Sequence, residues 1–121
     1  MITIRCTFPH SSLSPNARLH WAPKARATVT SKILWYKELS RYSQSLEGKS
    51  EFKISFAPPD KRRRDVDNLI SSSKALCDSL ALVTHIDDSK FKIEWGRELL
   101  APVAGGAVLV SFENEGSIGN D

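Results

Sequence analysis

Ile2, Ile4, Cys6 and Phe8 alternate with Thr3, Arg5 and Thr7. A repeat of two puts alternate side chains on one face, so this stretch predicts a first β-strand with one buried side, ended by Pro9. Residues 9 to about 28 lose the pattern and hold three prolines, Asn16 and the basic Arg18, Lys24 and Arg26. They predict a long loop, of a length that in a small domain is either functional or disordered. From about Val29 to Leu46 the residues Trp35, Leu39, Tyr42 and Leu46 recur at helical spacing, and Gly48 supplies a stop.

Phe52, Ile54 and Phe56 then alternate with Lys53 and Ser55 as a second strand, closed by Pro58 and Pro59. A second helix is expected from near Asp67, its candidate N-cap, to about Leu80, with Leu69, Ser73, Leu76 and Leu80 along one stripe. Phe91, Ile93 and Trp95 mark a third strand. Gly105 and Gly106 turn the chain into a fourth, Ala107 to Phe112, whose near-continuous apolar run suits an interior position. The order strand, helix, strand, helix, strand, strand predicts an α+β fold. It is a single two-layer domain over residues 1–112, a four-stranded mixed sheet covered by two helices. Residues 113–121 are expected to form a disordered tail.

Composition adds bounds. A chain of 121 residues with 40% hydrophobic content supports one modest core. No apolar stretch approaches the roughly 20 residues of a membrane span, and the start of the chain lacks a signal-peptide pattern, so no membrane partner is expected. Cys6 and Cys77 form no CxxC pair and read as reduced thiols of a cytoplasmic protein, although two cysteines also permit a disulfide.

The net charge of +3 hides an asymmetry. Residues 1–64 carry 13 Lys and Arg against 4 Asp and Glu, a balance of +9, whereas residues 65–121 carry 4 against 10, a balance of −6. A basic half of this kind suits an anionic partner, nucleic acid above all, with counterion release supplying affinity.

The two halves meet in Arg62-Arg63-Arg64-Asp65-Val66-Asp67-Asn68. Arginine presents a planar fork that matches phosphate oxygens. Paired carboxylates supply hard oxygen ligands, which suit Mg²⁺ or Mn²⁺ rather than zinc. A phosphate grip beside a metal seat is what phosphodiester cleavage requires, while the same run would also serve as a solvated loop whose Arg and Asp pair with each other. Asp65 and Asp67 diverge on a helix but project the same way in an extended lead-in. A second acidic pair, Asp87-Asp88, follows the second helix and is positioned to complete the site if that helix returns beside the sheet.

A calcium loop is excluded, because Ile70 and Leu76 occupy the positions that need Gly and Glu. Zinc is disfavoured by the scattered His10, His20 and His85. Lys74, two helical turns after Asp67, either faces the same side and offsets phosphate charge or pairs with Asp78 as a surface lysine. Trp21 either stacks on an unpaired base or anchors the loop.

The segment Pro59-Asp60-Lys61-Arg62-Arg63-Arg64-Asp65-Val66-Asp67-Asn68-Leu69 resembles the signature of the RusA-type Holliday junction resolvases. Lys74 to Leu80 and then Ile86-Asp87-Asp88-Ser89 continue the likeness in order, and Leu13 to Trp21 is similar to the N-terminal loop of phage-borne members. The resemblance implies a homodimeric, Mg²⁺-dependent endonuclease that nicks four-way DNA junctions symmetrically, with Mn²⁺ as a substitute ion. It places the essential carboxylates on Asp65, Asp67 and Asp88, with Asp87 as a neighbouring ligand, and the catalytic lysine on Lys74. The basic half supplies the expected DNA contacts, Arg62, Arg63 and Arg64 with Arg18, Lys24 and Arg26 of the long loop, and Asn16 and His20 beside them. One departure stands out. Ile70-Ser71-Ser72-Ser73 sets Lys74 about one helical turn further from the aspartates than in the bacterial prototype, a spacing shared with phage-type members. The alternatives are a metal nuclease for flaps, forks or RNA, and a junction-binding module without catalysis.

Overall fold

The computed structural model describes residues 1–14 and 21–114. Four strands, β1 (Ile2–Cys6), β2 (Glu51–Ala57), β3 (Lys92–Trp95) and β4 (Ala107–Phe112), form one sheet in the order β1-β4-β2-β3. The apolar run of β4 does lie inside, antiparallel to both β1 and β2, while β2 and β3 are parallel. The fold is α+β with a mixed sheet, as expected. A parallel pair needs a crossover, and the chain between β2 and β3 supplies it with two short helices.

The helical layer differs in detail from the periodicity. The first helix, α1 (Trp21–Ser40), begins well before Val29, and the final turn separates as α2 (Ser43–Leu46). Pro23 is tolerated there because the first turn of a helix has no internal partner for its missing N–H. The long loop is correspondingly shorter and includes a 3-10 turn at Ser11–Leu13. The second helix is broken into α3 (Val66–Ser71) and α4 (Lys74–Thr84). The break has a local cause. Ser72 and Ser73 donate their hydroxyls back to the carbonyls of Asn68 (2.7 Å) and Leu69 (2.8 Å), which competes with the helical ladder. The cap also differs, since Asp65 rather than Asp67 caps α3, its Oδ1 accepting the Asp67 N–H at 2.9 Å.

Trp35 and Leu39 of α1 and Leu76, Leu80 and Val83 of α4 cover the Ile4, Phe56, Val108 and Val110 face of the sheet. Helices α1 and α4 lie close enough for the Ser79 hydroxyl to reach the Lys32 carbonyl at 3.0 Å. Full burial of a side chain such as Leu76 stabilises the fold by about 1.5–3 kcal/mol. The opposite sheet face is polar, with Thr3 bonded to Ser111 at 2.9 Å and Lys53, Lys92 and Glu94 exposed. Cys6 and Cys77 are free thiols. Among the described residues no helix is long and apolar enough to cross a membrane. The expected tail falls on Glu113 and Asn114, which are exposed, and on residues 115–121, which lie outside the described residues.

Candidate active site

The β2–β3 crossover carries every acidic candidate. Asp65 and Asp67 open α3, and Asp87 and Asp88 lie between α4 and β3. All four carboxylates are exposed. Asp65 lines a cleft of about 400 Å³ together with Arg62, Arg64 and Asn68. Asp67 makes an ion pair with Arg97 at 2.7 Å. Asp88 lines a second cleft, of about 430 Å³, with Ile70, Lys74, Cys77 and Trp95.

Ile70, Lys74 and Cys77 stand four and three residues apart, so the serine break leaves Lys74 on the same side as the end of α3. Lys74 is the first residue of α4, and among the described residues no ion pair joins it to Asp78. Burial and then the nearby Asp78 and Asp88 charges push the Cys77 thiol up to about 11, which disfavours its thiolate.

Asp87 plays a different part from Asp88. Its Oδ2 accepts both the hydroxyl and the N–H of Ser89, capping the 3-10 turn Asp88–Lys90. Those bonds, the hydroxyl first, hold its carboxyl below the usual range. His85 occupies the left-handed C-cap of α4 (φ 60°) and meets Glu47 at 2.8 Å, which is a structural role.

The arginine run divides. Arg62 and Arg63 face solvent, the Arg62 side chain being 80% exposed although its Nε also pairs with Asp60 Oδ2 at 3.4 Å. Arg64 turns inward with 15% exposure and clamps its own loop, donating to Asp60 Oδ1 (2.9 Å) and to the carbonyls of Asp60 and Arg62 (3.2 Å each). Its partner is Asp60, not Asp65. The Arg64 bond, then the Arg62 N–H, lowers the Asp60 carboxyl to about 2. Arg64 also lies over the Phe8 ring, 5.9 Å from its centroid. Lys24 is likewise engaged, its Nζ donating to the Ser14 carbonyl at 3.2 Å, whereas Arg26 is exposed on α1. Asn16, Arg18 and His20 lie outside the described residues, as does the Trp21 side chain.

Arg97 escaped the sequence reading. It lies beyond β3, which ends at Trp95, so no strand period directs its side chain toward α3. Among the described residues no three His, Cys, Asp or Glu side chains stand close enough together to enclose a metal ion. Two carboxylates at one helix start are donors of the kind that Mg²⁺ takes. That ion takes hard oxygens and is usually held by only one or two carboxylates, the remainder being water and substrate phosphate. Asp65 and Asp67 stand together at one helix start, the Asp67 N–H donating to Asp65 Oδ1, while Asp65 lines the Arg62 cleft and Asp67 turns to Arg97.

The chain is 33% identical over 98 residues to an uncharacterized protein of Xylella fastidiosa (strain Temecula1 / ATCC 700964). The match covers 75% of this chain and 63% of that protein, so the chain spans less than two thirds of its relative's length. No family model matches the chain.

Proposed function

We propose that the protein is a structure-selective DNA endonuclease of the RusA resolvase type, cutting four-way junctions with Mg²⁺ as cofactor. The observation that carries this reading is the crossover itself. On one short segment it joins two solvent-facing arginines, a carboxylate pair at the start of α3, and a cleft shared by Lys74 and Asp88. Asp65 and Asp67 would hold the ion, and Asp88, which lines the separate Lys74 cleft, would meet the substrate there. Bound Mg²⁺ would activate a water and polarise the scissile phosphate. Lys74 offsets negative charge on the phosphate, and Arg62 and Arg63 hold flanking phosphates. Asp87 shapes the turn that presents Asp88.

A four-way junction has approximate two-fold symmetry, so a homodimer with two such sites is the matching assembly. A cytoplasmic enzyme with access to DNA fits the two free thiols. The test is incubation with a synthetic four-way junction and matched duplex, with and without Mg²⁺. Paired nicks confined to the junction and dependent on the ion are expected. The Asp67–Arg97 ion pair favours a second reading, a junction-binding module that does not cut. Tight junction binding without nicks in either Mg²⁺ or Mn²⁺ would establish that alternative.

A further inference from the structure

A third cleft, of about 480 Å³, opens between the end of β1 and α1. Nothing in the proposed chemistry uses it. We propose that it is a subsite for one unpaired nucleobase of the branched DNA strand, an inference that rests on the nuclease reading and extends it.

The walls are fixed before any ligand arrives. Thr7 donates its N–H and hydroxyl to the two Glu38 carboxylate oxygens, at 2.9 and 2.6 Å, and Trp35 Nε1 donates to the Thr7 carbonyl at 2.8 Å. These bonds tie the chain just after β1 to the middle of α1. Phe8 is held by the Arg64 guanidinium over its ring and by the close approach of Gly106, where an added Cβ would fall 2.9 Å from a ring carbon. A preformed wall of this kind lowers the ordering cost of binding.

The lining has the chemistry of a base site. Phe8 and Leu34 give aromatic and apolar surface with the buried Trp35 behind them, Arg26 and Thr30 give a cation and a hydroxyl, and among the described residues none lining the cleft is acidic. The volume lies within the roughly 300–1,000 Å³ of small-ligand sites. A flat ring attached to a phosphate complements apolar walls that carry one exposed arginine, and stacking accepts any base.

Continuity selects a nucleic-acid strand over a free small molecule. Phe8 and His10 line both this cleft and the neighbouring one that holds Arg62 and Asp65. A strand with one phosphate at Arg62 and Asp65 therefore meets the base cleft across a shared wall.

The experiment measures binding without divalent metal, so that cleavage does not intervene. Junctions carrying a single abasic nucleotide, stepped outward from the crossover, are titrated against wild type and Thr30→Trp, whose indole would fill the cleft from an exposed helix position. One abasic position should weaken wild-type binding roughly 5- to 100-fold, the range set by loss of one stacked base. In Thr30→Trp that penalty should vanish, with intact and abasic junctions bound alike. Arg26→Ala, also at an exposed position, is the second variant and should weaken intact and abasic junctions equally. Binding with no sensitive position, an equal abasic penalty in Thr30→Trp, or wild-type affinity in Arg26→Ala would overturn the base subsite and leave the nuclease reading standing. Failure of wild type to bind the intact junction at all would overturn both.

Discussion

Asp67 and Arg97 lie 30 residues apart in the chain and meet at 2.7 Å, so the start of α3 is tied to the exit of β3. Gly96, between β3 and Arg97, packs against Ser55 of β2, where an added Cβ would fall 2.8 Å from the hydroxyl oxygen. The pair is exposed, 63% for Arg97 and 72% for Asp67, and such pairs stabilise a fold by only about 0–1 kcal/mol. It therefore opens at little cost when a stronger cation competes for the carboxylate. Arg97→Ala is expected to leave the thermal midpoint nearly unchanged while tightening Mg²⁺ binding, measured by titration calorimetry. Unchanged or weaker Mg²⁺ binding would remove Asp67 from the metal seat.

The carboxylates should separate binding from cleavage. Asp65→Asn, Asp67→Asn and Asp88→Asn keep size and remove charge, so junction nicking should fall by several orders of magnitude while junction affinity holds or rises. Asp87→Asn should be milder, because that carboxylate is already engaged by Ser89. Nicking assays beside gel-shift titrations read both quantities, and full activity in Asp67→Asn would sink its assignment.

Arg62 and Arg63 differ from Arg64 in what they face, and salt should reveal it. Replacing either exposed arginine with Ala should flatten the log–log slope of junction affinity against salt by about one unit. Arg64→Ala should instead lower the thermal midpoint, because its guanidinium braces the Asp60–Arg64 loop and lies against Phe8. A slope unchanged in Arg62→Ala and Arg63→Ala would make the run a solvated loop.

Much of this architecture was legible because burial writes a period into the chain. The stripe Leu69, Ser73, Leu76 and Leu80 is buried throughout even though the helix breaks inside it. The break was hidden for the same reason: serine hydroxyls that bond backward do not disturb the apolar pattern. The start of α1, before Val29, was hidden because it contains Pro23 and the exposed Ala25, Arg26 and Thr28, so no apolar period marks it as helical. Asp65 and Asp67 could be singled out from local spacing. Arg97 at Asp67, Asp60 as the partner of Arg64, and the joint lining of one cleft by Lys74 and Asp88 all depend on tertiary placement.

Asp60 gives a pH signature. Its carboxyl is lowered from 3.8 to about 2 in the folded protein, chiefly by Arg64, so the charged form is favoured by folding. A lowered folded pKa contributes stability above the unfolded value, and that contribution is lost as pH falls through the folded one. The thermal midpoint of wild type should therefore exceed that of Asp60→Asn at pH 5. The gap should narrow from about pH 4 and close only below the folded value, at about pH 1. A gap undiminished at about pH 1 would assign the effect to shape rather than charge.

The last prediction concerns assembly. Two matched nicks on a two-fold substrate require two sites, and one 121-residue chain offers a single acidic crossover. Helix α1 carries Val29, Ile33 and Tyr36 at helical spacing, 59%, 52% and 44% exposed, and Leu82 of α4 is 53% exposed. Apolar side chains left in water at this density suit contact with a second copy. Light scattering should give twice the chain mass of 13.5 kDa at micromolar concentration, and Ile33→Glu should halve it by placing a charge on that stripe. Mixing wild type with excess Asp67→Asn should yield heterodimers that nick one strand of a supercoiled cruciform and seldom linearise it. A monomer that makes both nicks in one binding event would rule the paired arrangement out. A dimer indifferent to Ile33→Glu would move the interface elsewhere while leaving the two-site mechanism intact.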